Sequence, residues 1–246
     1  MTSVRLGWVG LLFGLTAAAA ETSPPLVLLF YDRPPYLQRD HEGKIVGLTA
    51  SVATQVLQSA GIAFEWRELS TNRQLMALEK NTEPACAVGW FRLPEREVWA
   101  KYSKPLYRDR PTEAYLRRGL TVEAPVRLAH LLSQNGLRVV IKDRFTYGAY
   151  IDRLLQTAPI TRVVLTSDTV DMLRHVQMGH ADLVFATAEE ADWFERERPH
   201  VVTGLQRVQL ADAEPGEYRH LMCSRKVSDT TIEKIDAAID AQVAVP

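Results

Sequence analysis

The stretch Leu26-Val27-Leu28-Leu29-Phe30-Tyr31-Asp32-Arg33-Pro34-Pro35-Tyr36 sets six apolar or aromatic residues in a row and stops them with a charged, proline-rich turn. A continuous apolar run of that length, bounded by breakers, reads as a strand buried on both faces that runs into a loop. Beyond the loop, Leu48, Val52, Val56, Leu57 and Ala60 recur at helical spacing, and Gly61 closes the segment. Residues 62–67 alternate like a strand, Leu75, Met76 and Leu78 suggest a short helix, and residues 85–90 form a third buried strand. Strands and helices alternating through short links point to an α/β sheet.

The same grammar restarts after residue 112. Residues 113–117, 137–141, 162–165 and 181–186 read as strands, and Val126 to Leu132 as a short helix. Thr146 can cap a helix carrying Tyr150, Ile151, Leu154 and Leu155, and Ser167 or Asp168 one carrying Met172, Leu173 and Val176. A charged helix follows over 189–197, then a late strand over 219–223 and a last helix with Ile232, Ile235 and Ile239 on one face. The expected architecture is two α/β lobes, each a sheet flanked by helices, with a crevice where strand ends meet.

Upstream, Met1 to Arg5 make a short basic start, an apolar segment follows, and Ala17 to Ala20 precede Glu21. Small residues at Ala18 and Ala20 fit the cleavage rule of a secretory signal peptide, so residues 1–20 are expected to be removed after export. An uncleaved anchor or a buried N-terminal helix is the alternative. Across the 246 residues, Lys+Arg 29 against Asp+Glu 30 leaves a net charge of -1, which gives no electrostatic reason to expect nucleic acid or an anionic membrane as partner. No apolar run after the first twenty residues is long enough for a membrane span. The two cysteines allow one disulfide at most, and the six histidines show no metal-ligand pairing. Neither a G-x-S-x-G elbow nor a phosphate-binding loop occurs.

A series of short motifs along the chain carries a resemblance. Gly89-Trp90-Phe91-Arg92-Leu93-Pro94-Glu95-Arg96, followed by Tyr102-Ser103-Lys104-Pro105-Leu106-Tyr107, resembles the T-P-E-R … F-S-x-P-Y segment of family 3 extracellular solute-binding proteins, the polar amino-acid-binding type. Arg33-Pro34-Pro35-Tyr36 is similar to that family's Y-P-P-F loop, and Gly43 to Leu48 to its G-K-x-V-G-F turn. Val139 to Tyr150 resembles its second-lobe strand and helix start, Ala181 to Val184 its V-D-A-V strand, and Cys223 to Lys226 its late V-R-K segment.

The resemblance implies a type II periplasmic-binding-protein-like fold, a hinged clamp that closes on a small solute. It divides the chain into a first lobe of 21–112 plus 205–246 and a second lobe of 113–204. It also implies a periplasmic monomer that takes up or senses its solute, with an ABC permease as possible partner and no cofactor, metal or catalytic residue. A disulfide between Cys86 and Cys223 is then expected in the oxidising compartment, with two buried thiols as the alternative.

In the family, the arginine matching Arg96 grips the ligand's carboxylate, and a planar guanidinium is suited to hold one bidentately. The other contacts differ. The position of a stacking aromatic is Arg33, hydroxyl-bearing positions have become Phe91 and Leu93, and the aspartate that neutralises an amino acid's ammonium aligns with Thr187. Glu189 and Glu190 lie just beyond and can substitute for it, or can belong to a solvated first helical turn. Tyr31, Tyr36 and Trp90 are expected to line the cleft with Phe91. One of Asn72 and Arg73 is expected to face it, and Thr146 and Tyr147 head a helix whose free N–H groups can receive a carboxylate. These departures point to a carboxylate-bearing solute other than a basic amino acid. Two other readings of the same resemblance are a periplasmic dehydratase of the cyclohexadienyl type, with Glu189 or Glu190 as its acid, and a binding-like protein without a transporter.

Overall fold

A computed structural model of the chain describes residues 24–120 and 122–242. The expected signal peptide, 1–20, lies outside the described residues. The chain first forms β1 (Leu26–Phe30), β2 (Gln38–Arg39), β3 (Ile45–Val46), α1 (Ala50–Ser59), β4 (Phe64–Glu68), α2 (Thr71–Lys80), β5 (Ala85–Phe91), α3 (Pro94–Glu97), β6 (Ala100–Tyr102) and β7 (Tyr107–Arg108). It continues through β8 (Thr112–Leu116), α4 (Leu128–Leu132), β9 (Arg138–Lys142), α5 (Ala149–Thr157), β10 (Thr161–Leu165), α6 (Thr169–Gln177), β11 (Leu183–Thr187), α7 (Ala188–Glu197), α8 (Pro199–Val202) and β12 (Gln206–Val208). It returns as β13 (Tyr218–Ser224) and ends in α9 (Asp229–Gln242).

Two sheets result. The first runs β4-β1-β5-β13-β6, with β7 also on β13, and the second runs β10-β9-β11-β8-β12. In β1 alternate side chains enter different cores. Leu28 and Phe30 meet Val56 and Leu57 of α1 and Ile235 and Ile239 of α9, whereas Val27 and Leu29 meet Leu75 and Leu78 of α2. A strand covered on both faces must be apolar throughout, which explains the unbroken run that opens the sequence. The second sheet repeats the arrangement. Val139, Leu183 and Phe185 pack on α4 and α5, and Val140 and Val184 on α6 and α7.

Two segments cross between the sheets, residues 109–111 and 209–217, and they lie against each other. The Asp109 N–H donates to the Glu217 carbonyl at 3.0 Å. A Cβ on Gly216 would stand 1.9 Å from the Asp109 carbonyl oxygen, so only glycine admits this approach. The expected boundary at 205 shifts: β12 pairs with β8, so residues 206–208 belong to the second sheet. The short helix expected near 75–78 is the full α2. The cap expected at Thr146 is corrected as well, because Gly148 is the N-cap of α5.

Cys86 and Cys223 are register partners on neighbouring strands β5 and β13 and form a disulfide. It fastens the returning strand to the sheet across a sequence separation of 137 residues. We expect neither cysteine to be alkylated before reduction and both afterwards, as read by intact mass. Reduction should lower stability by about 2–4 kcal/mol. Alkylation of the unreduced, folded protein would contradict the bond.

Candidate functional site

The loops at the strand ends converge between the two sheets, where α/β folds place their ligands. Tyr31 and Arg33 follow β1, Phe91 ends β5, Lys142 ends β9, and Thr187 ends β11. From the return strand comes Arg219.

The two halves are joined by charged and polar contacts. Arg33 donates from Nε to Glu190 Oε1 at 2.9 Å and from Nη2 to Oε2 at 3.1 Å. Both side chains are almost fully buried. Thr187 caps α7 in a capping box with Glu190, so the same carboxylate also accepts the Thr187 N–H and hydroxyl. Burial alone would raise the pKa of Glu190. The charge and hydrogen bonds of Arg33 outweigh it and hold the carboxyl below its usual range. Tyr36 is buried, with its hydroxyl on Thr187 Oγ1 at 2.9 Å, and Asn72 Nδ2 donates to Asp143 at 2.8 Å. A second buried pair stands beside these, Arg219 to both oxygens of Asp109, with the Arg219 guanidinium 4.2 Å from the Tyr36 ring centroid.

Arg96 is held differently. Trp90 Nε1 donates to Gln74 Oε1 at 3.0 Å, which fixes the indole, and the Arg96 guanidinium lies 4.9 Å from its ring centroid. Gly89, at φ +82° beside the Thr49 side chain, turns the strand end that carries Trp90. Arg96 Nη2 donates to the Arg144 carbonyl of the opposite half at 3.0 Å. Its Nη1 is buried without a hydrogen-bond partner, and no acid pairs with it among the described residues. Burial, together with the charge of Arg144, lowers its pKa from the usual guanidinium value and outweighs the influence of Tyr102, Glu95 and Asp152.

Two adjoining cavities result. The smaller is lined by Tyr31, Arg33, Gly89, Trp90, Phe91, Arg96, Phe145, Thr146 and Arg219, with three arginines and no carboxylate. The larger encloses about 780 Å³ of non-atom space, part of it continuous with solvent. It adds Lys142, Tyr147, Phe185, Thr187, Glu190 and Glu217 to the wall. The carboxyl of Glu217 is pushed up by burial and by the nearby acids Glu214 and Asp109.

The expected site residues separate accordingly. Arg33, Arg96, Tyr31, Trp90, Phe91, Thr146, Tyr147 and Thr187 line one or both cavities. Arg73 is exposed and lines neither. Glu189 faces away from both, because its carboxylate accepts from the Tyr107 hydroxyl, the Arg110 N–H and the Tyr36 hydroxyl. The expected solvated turn is also corrected, since Glu189 and Glu190 are both buried. Thr146 gives its hydroxyl to Asp152 and accepts the Gly148 N–H, so it braces the loop. The sequence reading missed Arg219, Lys142 and Phe145. A lysine closing the apolar run Val139-Val140-Ile141 was the available signal.

The chain matches the model of bacterial extracellular solute-binding proteins, family 3, over residues 27–244. It belongs to that family. No curated protein matches the chain by sequence. Among solved structures, an ancestral arginine-binding protein bound to arginine superposes with a TM-score of 0.70 at 18% identity, covering 88% of this chain and 91% of that one. Holo ArgBP from T. maritima gives 0.68 at 19% identity, covering 90% and 91%. An ancestral amino acid-binding protein, a precursor of cyclohexadienyl dehydratase, gives 0.67 at 15% identity, covering 88% of each. At such identities the likeness establishes the shared fold alone.

The Arg33–Glu190 pair yields a signed prediction. Because the carboxyl's folded pKa lies below its ordinary 4.5, the stability it contributes is complete above that value and is lost as pH falls below it. Glu190→Gln leaves a buried guanidinium without a counter-charge and should cost about 3–5 kcal/mol at pH 7 in urea unfolding. The deficit against wild type should shrink towards pH 4. An equal deficit at both pH values would contradict the assignment.

Proposed function

We propose that the chain is an exported, non-catalytic solute-binding protein that clamps a small carboxylate-bearing solute between two hinged lobes. The observation that carries the reading is Arg96 Nη1, a buried guanidinium nitrogen without a partner beside a cavity whose walls hold no acid. A bound carboxylate supplies both the missing acceptor and the missing counter-charge, and charge-assisted bonds of that kind are worth about 1.5–3 kcal/mol each. The first lobe takes β1 to β7, β13 and α9, and the second takes β8 to β12, with the crossing segments as the hinge. Export to the periplasm with cleavage near Ala20, a monomeric state, and delivery to an ABC permease or a sensing partner belong to the same proposal.

The solute is not a basic amino acid. An α-ammonium in the cleft needs an acceptor, since an unpaired buried charge is strongly disfavoured. Thr187 replaces the family's aspartate, Glu190 is committed to Arg33 and Glu189 faces away, and the other cavity acids, Glu214 and Glu217, lie on the crossing segment and not at the aspartate's position. The state of Glu190 removes that carboxyl, though not Glu217, as the acid of a dehydratase. A general acid needs a raised pKa, whereas Arg33 lowers this one.

A thermal-shift series over amino acids and ammonium-free organic acids tests the reading. Stabilisation by an organic acid, reduced at least about tenfold in apparent affinity by Arg96→Ala, is expected. Stabilisation by lysine or arginine above all others would refute the specificity, and binding indifferent to Arg96→Ala would refute the site.

A further inference from the structure

Lys142 is a buried cation that neither the disulfide, the ion pairs nor the Arg96 site accounts for. It closes β9 with 8% of its surface exposed, and its Nζ lies 4.4 Å from the Tyr31 ring centroid and 5.9 Å from that of Phe145. Aromatic faces tolerate a cation there but do not neutralise it. No carboxylate pairs with it among the described residues, whereas the other buried cleft cations, Arg33 and Arg219, each hold an acid bidentately. Arg96 and Lys142 are therefore the two buried cations of the cleft left without a counter-ion. They enter from opposite halves, Arg96 into the smaller cavity and Lys142 into the larger, and Tyr31 and Phe145 line both.

We propose that Lys142 is a second anion-binding group, and that the cleft takes an ammonium-free dicarboxylate with one carboxylate on Arg96 and the other on Lys142. The proposal rests on the reading that Arg96 holds a carboxylate and extends it to the far end of the ligand. Two negative charges match the two unmatched positive ones, and the aromatic walls between them suit an apolar spacer. Two further acids line the larger cavity, Glu214 and Glu217, both on the crossing segment, and Glu217 lies beside Gly148 at the N-terminus of α5.

Isothermal titration of the full mature chain with succinate, glutarate and adipate, with butyrate, and with L-glutamate tests this. The best dicarboxylate should bind at least about tenfold tighter than butyrate, and glutarate tighter than L-glutamate, which differs from it by the ammonium. Lys142→Met should weaken the dicarboxylate at least about tenfold more than it weakens butyrate, while Lys142→Arg retains the preference. Butyrate equal to every dicarboxylate on the wild-type chain would overturn the proposal without any variant. So would an unchanged dicarboxylate affinity in Lys142→Met, or L-glutamate as tight as glutarate. In those cases Arg96-dependent binding of any acid leaves the Arg96 reading standing. If no acid of the series binds, both fall.

Discussion

The buried pair between Arg33 and Glu190 is the contact on which the rest of the cleft depends. Each partner comes from a different half, 157 residues apart in the chain, and each is satisfied almost completely. Taking two charges out of water is costly, and the cost is offset only where geometry and further hydrogen bonds are good. Here the fork is bidentate, and the capping box of α7 supplies the remaining donors. The carboxylate nearest to the site of the family's missing aspartate is thereby removed from ligand recognition. The pair holds the acid inside the protein, and Arg96 and Lys142 are the buried cleft cations without an ion-pair partner among the described residues.

Much of the architecture was legible because both sheets are covered on both faces. Their central strands had to be unbroken apolar runs, and the breakers after them had to be loops. The strands at 26–31 and 85–90 could be read with the helix after 48 for this reason. Short elements such as β2, β3, β7 and β12 carry too few residues for a periodic signal. Their place is fixed by pairing with distant strands, which is why the second crossing was set too early.

The site was legible where a residue type has one good chemical use and illegible where burial comes from afar. Arg96 stood out because it matches the arginine of the resembled family and a guanidinium can hold a carboxylate bidentately, and Arg33 because it stands where that family has a stacking aromatic. Glu189 and Glu190 read either as substitutes for the family's aspartate or as a solvated first helical turn. Only the arrival of Arg33, Tyr36 and Tyr107 from the other half buries them. Thr146 looked like a cap because a hydroxyl two residues before a helix commonly is one. In the fold Asp152 recruits it to brace the loop below the cavity.

The central claim is that the buried, unpartnered guanidinium nitrogen of Arg96 takes a carboxylate while Arg33 keeps Glu190. The most direct measurement is a crystal structure grown with the organic acid that raises the melting temperature most. The account predicts a carboxylate oxygen within hydrogen-bond distance of Arg96 Nη1, with the Arg33–Glu190 bonds intact. A carboxylate bound away from Arg96, or Glu190 turned from Arg33 towards the ligand, would contradict it.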